Sequence, residues 1–198
     1  MKKSILKILL LVFPLFFIAC AGEKNSGGLE IFSSDQTEEA VALITEANDQ
    51  LKQIKQLLKA NEIRLEDLKT AMSEKNPIKV KSVSEDIIHQ ISTGMKLGED
   101  AVKNLEKAER LKINDDFRTY LTLKMQSLMK YADAYKERFE LAKLLRDKYD
   151  PNNAEQRKTV GDEFQRREQT FMNVMQEAGK LSDQANDLAK EVNSRKKE

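Results

Sequence analysis

Apolar residues recur along most of this chain at alternating intervals of three and four positions. In the first such stretch, from about Thr37 to Ser73, the pattern continues for many turns and skips one site, Asn61. The apolar positions are Ile44, Ala47, Leu51, Ile54, Leu58, Leu65, Leu68 and Met72. Heptad spacing of this kind predicts an α-helix with one apolar face. A buried asparagine in that face costs stability but fixes register and partner number, whereas Asn61 turned toward water would do neither.

Three more helices are predicted, and each begins beside a residue that caps helices well. Asn76 precedes Pro77, Asn114 precedes two acidic residues, and Asp150 precedes Pro151. Side chains of this type accept hydrogen bonds from the first backbone N–H groups of a helix, and proline suits the first helical position. The predicted helices run from Pro77 to about Lys112, from Asp115 to Tyr149 and from about Asn152 to Ser194.

Four long amphipathic helices with short connections predict an all-α fold. The expected architecture is an elongated antiparallel four-helix bundle, coiled-coil-like, with up-down-up-down topology. Each helix would have roughly 35–43 residues and span ~50–65 Å at 1.5 Å per residue. The connection at 111–116 contains neither glycine nor proline. If it were helical, the second and third helices would fuse and the bundle would close by another route, such as dimerisation.

The second helix has an unusually small face after Ile91, with Gly94 and Gly98 in its seam. Each glycine costs ~1 kcal/mol relative to alanine in a helix interior. The glycines could allow a close backbone approach or a bend at a binding cleft, or they could pack tightly against a large neighbour. The third helix offers such neighbours, because it holds all four tyrosines: Tyr120, Tyr131, Tyr135 and Tyr149.

The fourth helix carries a seam in which apolar residues recur every seven positions. This set consists of Phe164, Phe171, Ala178, Ala185 and Val192. The alternate set consists of Val160, Val174, Leu181 and Leu188, and Arg167 interrupts it.

The chain contains one histidine, His89, as a candidate for reaction chemistry. Asp86 and Glu85 precede it at helix-face spacing, but di-iron bundles need two Glu-x-x-His motifs and two further glutamates. A haem would pair His89 with a methionine, although methionine in a bundle is usually core filler. The candidates are Met95, Met125, Met129, Met172 and Met175. We therefore predict no catalytic residues, no metal site, no cofactor and no enzymatic activity, with His89 on the surface.

The charge balance argues against nucleic acid as a partner. The chain has 34 Lys and Arg against 33 Asp and Glu residues, a formal charge of +1. Three of the basic residues, Lys2, Lys3 and Lys7, lie in a segment expected to be removed, which leaves 31 basic and 33 acidic residues and a charge of −2. Binding to nucleic acid requires a net basic face.

The N-terminus has the three parts of an export signal. A basic start is followed by an apolar run from Ile8 to Ala19, and Cys20 follows a small residue. The run is shorter than the roughly 20 residues that span a bilayer. Cys20 is the only cysteine, so it cannot form a disulfide within the chain. An exported protein normally pairs its cysteines or has none, which suggests another use for this thiol.

The segment Phe17-Ile18-Ala19-Cys20 resembles a bacterial lipobox. The lipobox usually has leucine where this chain has Phe17, and loosened boxes of this kind resemble those of spirochaetal lipoproteins. The resemblance covers residues 1–20 and implies that a lipid is attached to the Cys20 sulfur and that the signal is cut just before it. The alternative interpretation of Cys20 is that the chain is an ordinary secreted protein with one free cysteine.

These expectations define a domain organisation and a function. Residues 1–19 are a signal peptide, 20–36 a lipidated flexible tether rich in Gly and Ser, and 37–198 one helical bundle. The expected protein is a non-enzymatic lipoprotein of the bacterial envelope, in the outer membrane or on the cell surface. It binds a protein partner or acts as a scaffold, and homo-oligomerisation is left open. The alternatives are a carrier of haem or an apolar molecule between the second and third helices, and an accessory subunit of an envelope complex.

Overall fold

The computed structural model describes residues 36–195 of the chain, with Thr37 described by its backbone only. Helices are the regular secondary structure of this range: α1 is Thr37–Ser73, α2 is Pro77–Glu109, α3 is Asp115–Lys148 and α4 is Ala154–Arg195. Cys20, the predicted signal peptide and nearly all of the predicted tether lie outside the described residues.

The four helices form an antiparallel up-down-up-down bundle, which confirms the predicted fold class. Each helix packs against its neighbour in the chain, α1 on α2, α2 on α3 and α3 on α4, and no comparable contact joins α1 to α4. The antiparallel register is visible between α1 and α2, where Gln50 lies beside Asn104 and Arg64 lies beside Asp86.

Two apolar cores stabilise the bundle, one near each end, and both receive side chains from all four helices. The first core lies toward the α1–α2 and α3–α4 turns and includes Leu68, Ile87, Leu145 and Phe171. The second lies toward the α2–α3 connection and includes Ile44, Leu105, Phe117 and Val192. Between the two cores, seam residues such as Leu51, Ile54 and Leu181 are only partly buried. The heptad seams therefore face inward as predicted, with the tightest burial at the two ends.

Two of the predicted helix starts are confirmed by their capping hydrogen bonds. Asn76 Oδ1 accepts a hydrogen bond from the backbone N–H of Lys79 at 3.0 Å, and Pro77 is the first residue of α2. Asn114 Oδ1 accepts one from the backbone N–H of Phe117 at 2.8 Å. Because α2 ends at Glu109, the second and third helices are separate and do not fuse.

The predicted start of the fourth helix is wrong by two residues. Asp150 Oδ1 accepts a hydrogen bond from the backbone N–H of Asn152 at 2.8 Å, which forms a turn and leaves the buried Pro151 outside the helix. Asn153 Oδ1 then accepts hydrogen bonds from the N–H groups of Glu155 and Gln156 at 3.1 and 3.0 Å. Asn153 therefore caps α4, and the Asp-Pro pair belongs to the preceding turn.

Candidate functional site

The residues considered for metal or haem chemistry do not converge. His89 is exposed on α2, so it does not face the interior where a haem would lie. Its expected helix neighbour Asp86 pairs instead with Arg64 of α1, with 3.5 Å between Oδ2 and Nε. Of the candidate methionines, Met129 and Met172 are exposed on α3 and α4. Within residues 36–195, no three His, Cys, Asp or Glu side chains are grouped in a way that could hold a metal ion.

The two glycines of α2 face large side chains, as one of the alternatives expected, but these belong to α1 and not to the third helix. A Cβ atom at Gly94 would lie 3.9 Å from Leu57 Cδ1, and one at Gly98 would lie 3.9 Å from Ile54 Cδ1. Both distances are ordinary van der Waals contacts, so alanine fits at either position. The pattern of small residues predicted where α2 has a face of small side chains, but it did not predict which helix packs against that face.

An open groove of about 300 Å³ lies between α1 and α2 beside these glycines. It is lined by Gln53, Gln56, Leu57, Thr93 and Leu97. A second groove, of about 480 Å³, lies along α2 and α3. Its lining is Glu109, Asp115, Arg118, Thr119, Thr122, Leu123 and Gln126. Both grooves are open to solvent, whereas a site for haem or a small apolar molecule encloses most of its ligand.

Asn61 lies in the seam of α1 with 1% of its surface exposed, so the alternative in which it turns toward water is wrong. Neither Oδ1 nor Nδ2 of its side chain has a hydrogen-bond partner among the described residues. The same holds for the buried Ser84 Oγ and for Gln90 Oε1 on α2. A buried polar group without a partner lowers stability by about 1–3 kcal/mol. This part of the α1–α2 interface therefore stabilises the bundle less than an apolar seam would.

A partly buried ion pair joins α3 to α4. The guanidinium of Arg138, which is 7% exposed, donates to both carboxylate oxygens of Glu168, from Nε at 3.1 Å and from Nη2 at 3.3 Å. Its Cζ also lies 3.5 Å from the ring centroid of Phe171, which in turn meets Tyr135 edge to face at 5.5 Å. Burial raises the pKa of the Tyr135 hydroxyl, which stays neutral at physiological pH. Sequence reasoning missed this cluster because Arg138 resembles any other charged residue on a helix.

The interruption of the α4 seam at Arg167 also has a structural explanation. Arg167 donates to Glu163 on its own helix at 2.7 Å and to Glu137 on α3 at 2.9 Å. Glu163 is further held by Arg166, and hydrogen bonding from Arg166 together with the positive charge of Arg167 lowers the pKa of Glu163 to about 2. These carboxylates are bound by guanidinium groups, so their arrangement serves the α3–α4 contact and offers no free acid or base.

Comparison with known proteins adds no family to this description. No protein-family model, curated protein or solved structure matches the chain. In residues 36–195, none of the helices contains an apolar stretch that could cross a bilayer.

Proposed function

We propose that this chain is a bacterial envelope lipoprotein, held to a membrane by lipid on Cys20, whose helical bundle is a non-enzymatic binding and scaffold module. The observation that carries the proposal is the position of Cys20, the only cysteine, directly after a basic start and an apolar run. Acyl chains contribute about 0.8 kcal/mol per buried CH₂, and two or more chains hold a protein stably where one does not.

The form of the bundle supports a scaffold role. α1 contains 37 residues and so spans ~55 Å at 1.5 Å per residue. Two contacts fix the end at which the N-terminal segment joins. Gln36 Oε1 accepts a hydrogen bond from the backbone N–H of Lys112 at 2.6 Å, and Arg195 at the end of α4 pairs with Asp116 at 3.3 Å. An anchor on Cys20 would therefore hold this end of the bundle near the membrane and leave the other end free.

The chemistry of the bundle supports binding rather than catalysis. Its charged side chains pair along and between helices, as Lys130 does with Glu177 at 2.8 Å and Arg138 does with Glu168. The proposed location is the outer membrane or the cell surface, and the proposed partner is a protein. The near-neutral charge gives no electrostatic reason to propose a nucleic-acid partner.

In-cell crosslinking of the tagged protein tests the scaffold proposal. The wild-type chain should stay in the membrane fraction and give a stable crosslinked adduct, whereas Cys20→Ala should lose lipid-dependent membrane retention. A matched control is Ser26→Ala, which also changes one small side chain near the cleavage point but leaves the thiol. Equal membrane retention of wild type and Cys20→Ala after export would contradict the anchor, and absence of any adduct from anchored protein would contradict the binding role.

A further inference from the structure

The end of the bundle farthest from the N-terminal attachment is formed by two helix turns. We call it the turn end and define it as both turns with the six helical residues on either side of each, residues 68–82 and 143–159. The two turns are tied together, because the Tyr149 hydroxyl donates a hydrogen bond to the backbone carbonyl of Met72 at 3.0 Å. Pro151 is buried in the second turn. The turn end is therefore one braced surface rather than two independent loops.

Positive charge is concentrated at the turn end, which holds nine basic and four acidic residues, a net charge of +5. The opposite end, defined in the same way as residues 36–42, 104–120 and 190–195, holds six basic and seven acidic residues, a net charge of −1. The part of the bundle between them has 13 basic and 18 acidic residues, a net charge of −5. The basic residues of the turn end are Lys69, Lys75, Lys79, Lys81, Lys143, Arg146, Lys148, Arg157 and Lys158. The positive charge is confined to the turns and the helix residues next to them, because Glu66, Asp67, Glu85 and Glu140 border this end along the helices.

Lys75 occupies a backbone position in the first turn that favours glycine. The φ angle of Lys75 is 54°. Its backbone N–H donates to the carbonyl oxygen of Met72 at 3.1 Å, and the backbone N–H of Asn76 donates to the carbonyl oxygen of Ala71 at 3.0 Å. These two hydrogen bonds form the Schellman motif, in which the left-handed residue is usually glycine because a Cβ atom is unfavourable there. A lysine at this position is less favourable than glycine and places a positive charge at the tip of the turn.

An apolar side chain lies beside this lysine. Ile78, in the first turn of α2, is 81% exposed, the highest exposure among the large apolar residues described. Lys79 and Lys81 follow it and are exposed. The exposed surface of the turn end therefore combines several lysines with one aliphatic group.

The composition of this surface distinguishes between classes of partner. Seven of its nine basic residues are lysines. Three of them, Lys69, Lys79 and Lys143, pair with Glu66, Glu74 and Glu140, and Arg146 is held by both carboxylate oxygens of Asp147 at 2.7 and 2.9 Å. Lys75, Lys81, Lys148 and Lys158 therefore supply most of the lysine charge that a partner would meet. Specific protein interfaces favour arginine and aromatic residues and contain few lysines, whereas lysine clusters are attracted to anionic lipid headgroups. We infer that the turn end binds the surface of an anionic phospholipid bilayer, with Ile78 entering the interface and the lysines contacting the headgroups.

Vesicle flotation tests this inference on the chain from Ala21 onward, which keeps every residue of both cores and lacks the apolar N-terminal run. The protein should float with phosphatidylcholine vesicles in which about one third of the lipid is phosphatidylglycerol, and not with phosphatidylcholine alone. Removing one lysine should lower the partition coefficient about fivefold. Lys75→Gly should therefore weaken binding while raising the melting temperature, a combination that a purely structural role would not produce.

Matched variants locate the binding surface. Ile78→Ser should reduce partitioning by about threefold to tenfold, whereas Ile63→Ser, at a position 61% exposed on α1, should not. Lys75→Glu with Lys81→Glu should abolish binding, and the same reversal at the exposed Lys52 and Lys59 should not. Equal binding to neutral vesicles, or equal effects at both lysine pairs, would overturn the inference. So would failure of the wild type to float while a crosslinker at position 78 captures an acidic protein in cells.

Discussion

The burial, packing and pKa of single residues in this bundle depend on the surrounding atoms more than on the residue type. Asn61 interrupts a leucine-rich seam and is nevertheless buried, with both polar atoms of its side chain unpartnered. Gly94 has room for a Cβ atom, although the small residues along its helix face suggested tight packing as one alternative. Glu163 is one of many surface carboxylates, yet two arginines lower its pKa to about 2. Each of these local environments can be tested by one substitution.

Replacing Asn61 by leucine should stabilise the bundle. Leucine has a similar branched shape, and it removes two buried polar atoms that lack partners, so the free energy of unfolding should rise by about 1–2 kcal/mol. Urea denaturation gives the change, with Asn104→Leu as the comparison because the Asn104 amide donates to Gln50 at 3.5 Å and should lose that bond. A loss of stability in Asn61→Leu would show that the amide is satisfied.

Gly94→Ala should also stabilise the protein. A methyl group meets Leu57 at van der Waals distance, and alanine favours the helix over glycine by about 1 kcal/mol. Gly161→Ala is the matched control, because nothing lies within 4 Å of its Cβ position, and it should show the same gain in thermal unfolding. A lower melting temperature for Gly94→Ala alone would restore the tight-packing interpretation.

The contribution of Glu163 to stability should depend on pH. Its folded-state pKa of about 2 lies below the ordinary value of 4.5, so the ionised form is stabilised by folding. The contribution is therefore present above pH ~4.5 and disappears as the pH falls toward 2. The difference in unfolding free energy between wild type and Glu163→Gln should be constant near neutrality and shrink across this window. Glu46→Gln, at an exposed position on α1, serves as the control, and a difference independent of pH would contradict the assignment.

At the scale of the helices, the hydrophobic pattern and the capping residues account for most of the architecture. The starts of α1, α2 and α3 agree with the sequence-based boundaries, because a heptad seam and an asparagine cap are local signals. The start of α4 was misplaced because Asp150 and Asn153 are both good caps, and only the folded turn decides which one meets the helix.

Alanine at Asn153 should test this corrected boundary. Asn153→Ala removes hydrogen bonds to two N–H groups of the first turn of α4 and should lower the free energy of unfolding by about 1 kcal/mol. Asn152→Ala should have little effect, because no side-chain bond of Asn152 is formed within the described residues. Equal losses in the two variants would contradict Asn153 as the cap.

Contacts between helices were less accessible to sequence reasoning. The ion pair of Arg138 with Glu168 depends on which helices become neighbours and at what level, and so does the position of Gly94 opposite Leu57. Heptad spacing defines the inward face of a helix but not the partner opposite each residue. A charged residue is predicted to face solvent unless its partner is known. The predicted fold was therefore correct where local patterns decide it, and incomplete where the packing decides it.

At the scale of the whole molecule, the bundle is a rod with chemically different ends. One end receives the N-terminal segment and is close to neutral, and the other carries a net charge of +5 around the exposed Ile78. An anchor on Cys20 would hold the first end at a membrane, and the basic turn end would then be free to contact a second anionic surface. The proposed lipid anchor and the proposed bilayer contact lie at opposite ends of the bundle, so a substitution can remove either one without the other.

The central claim is that Cys20 becomes the lipid-bearing first residue of the mature protein, and its most direct test is mass spectrometry of the N-terminal peptide from the native host. We predict a peptide that begins at Cys20 and carries acyl chains on this residue, and its absence from Cys20→Ala protein. A mature chain that begins at another residue, or an unmodified Cys20 thiol in protein recovered from the membrane, would contradict the account.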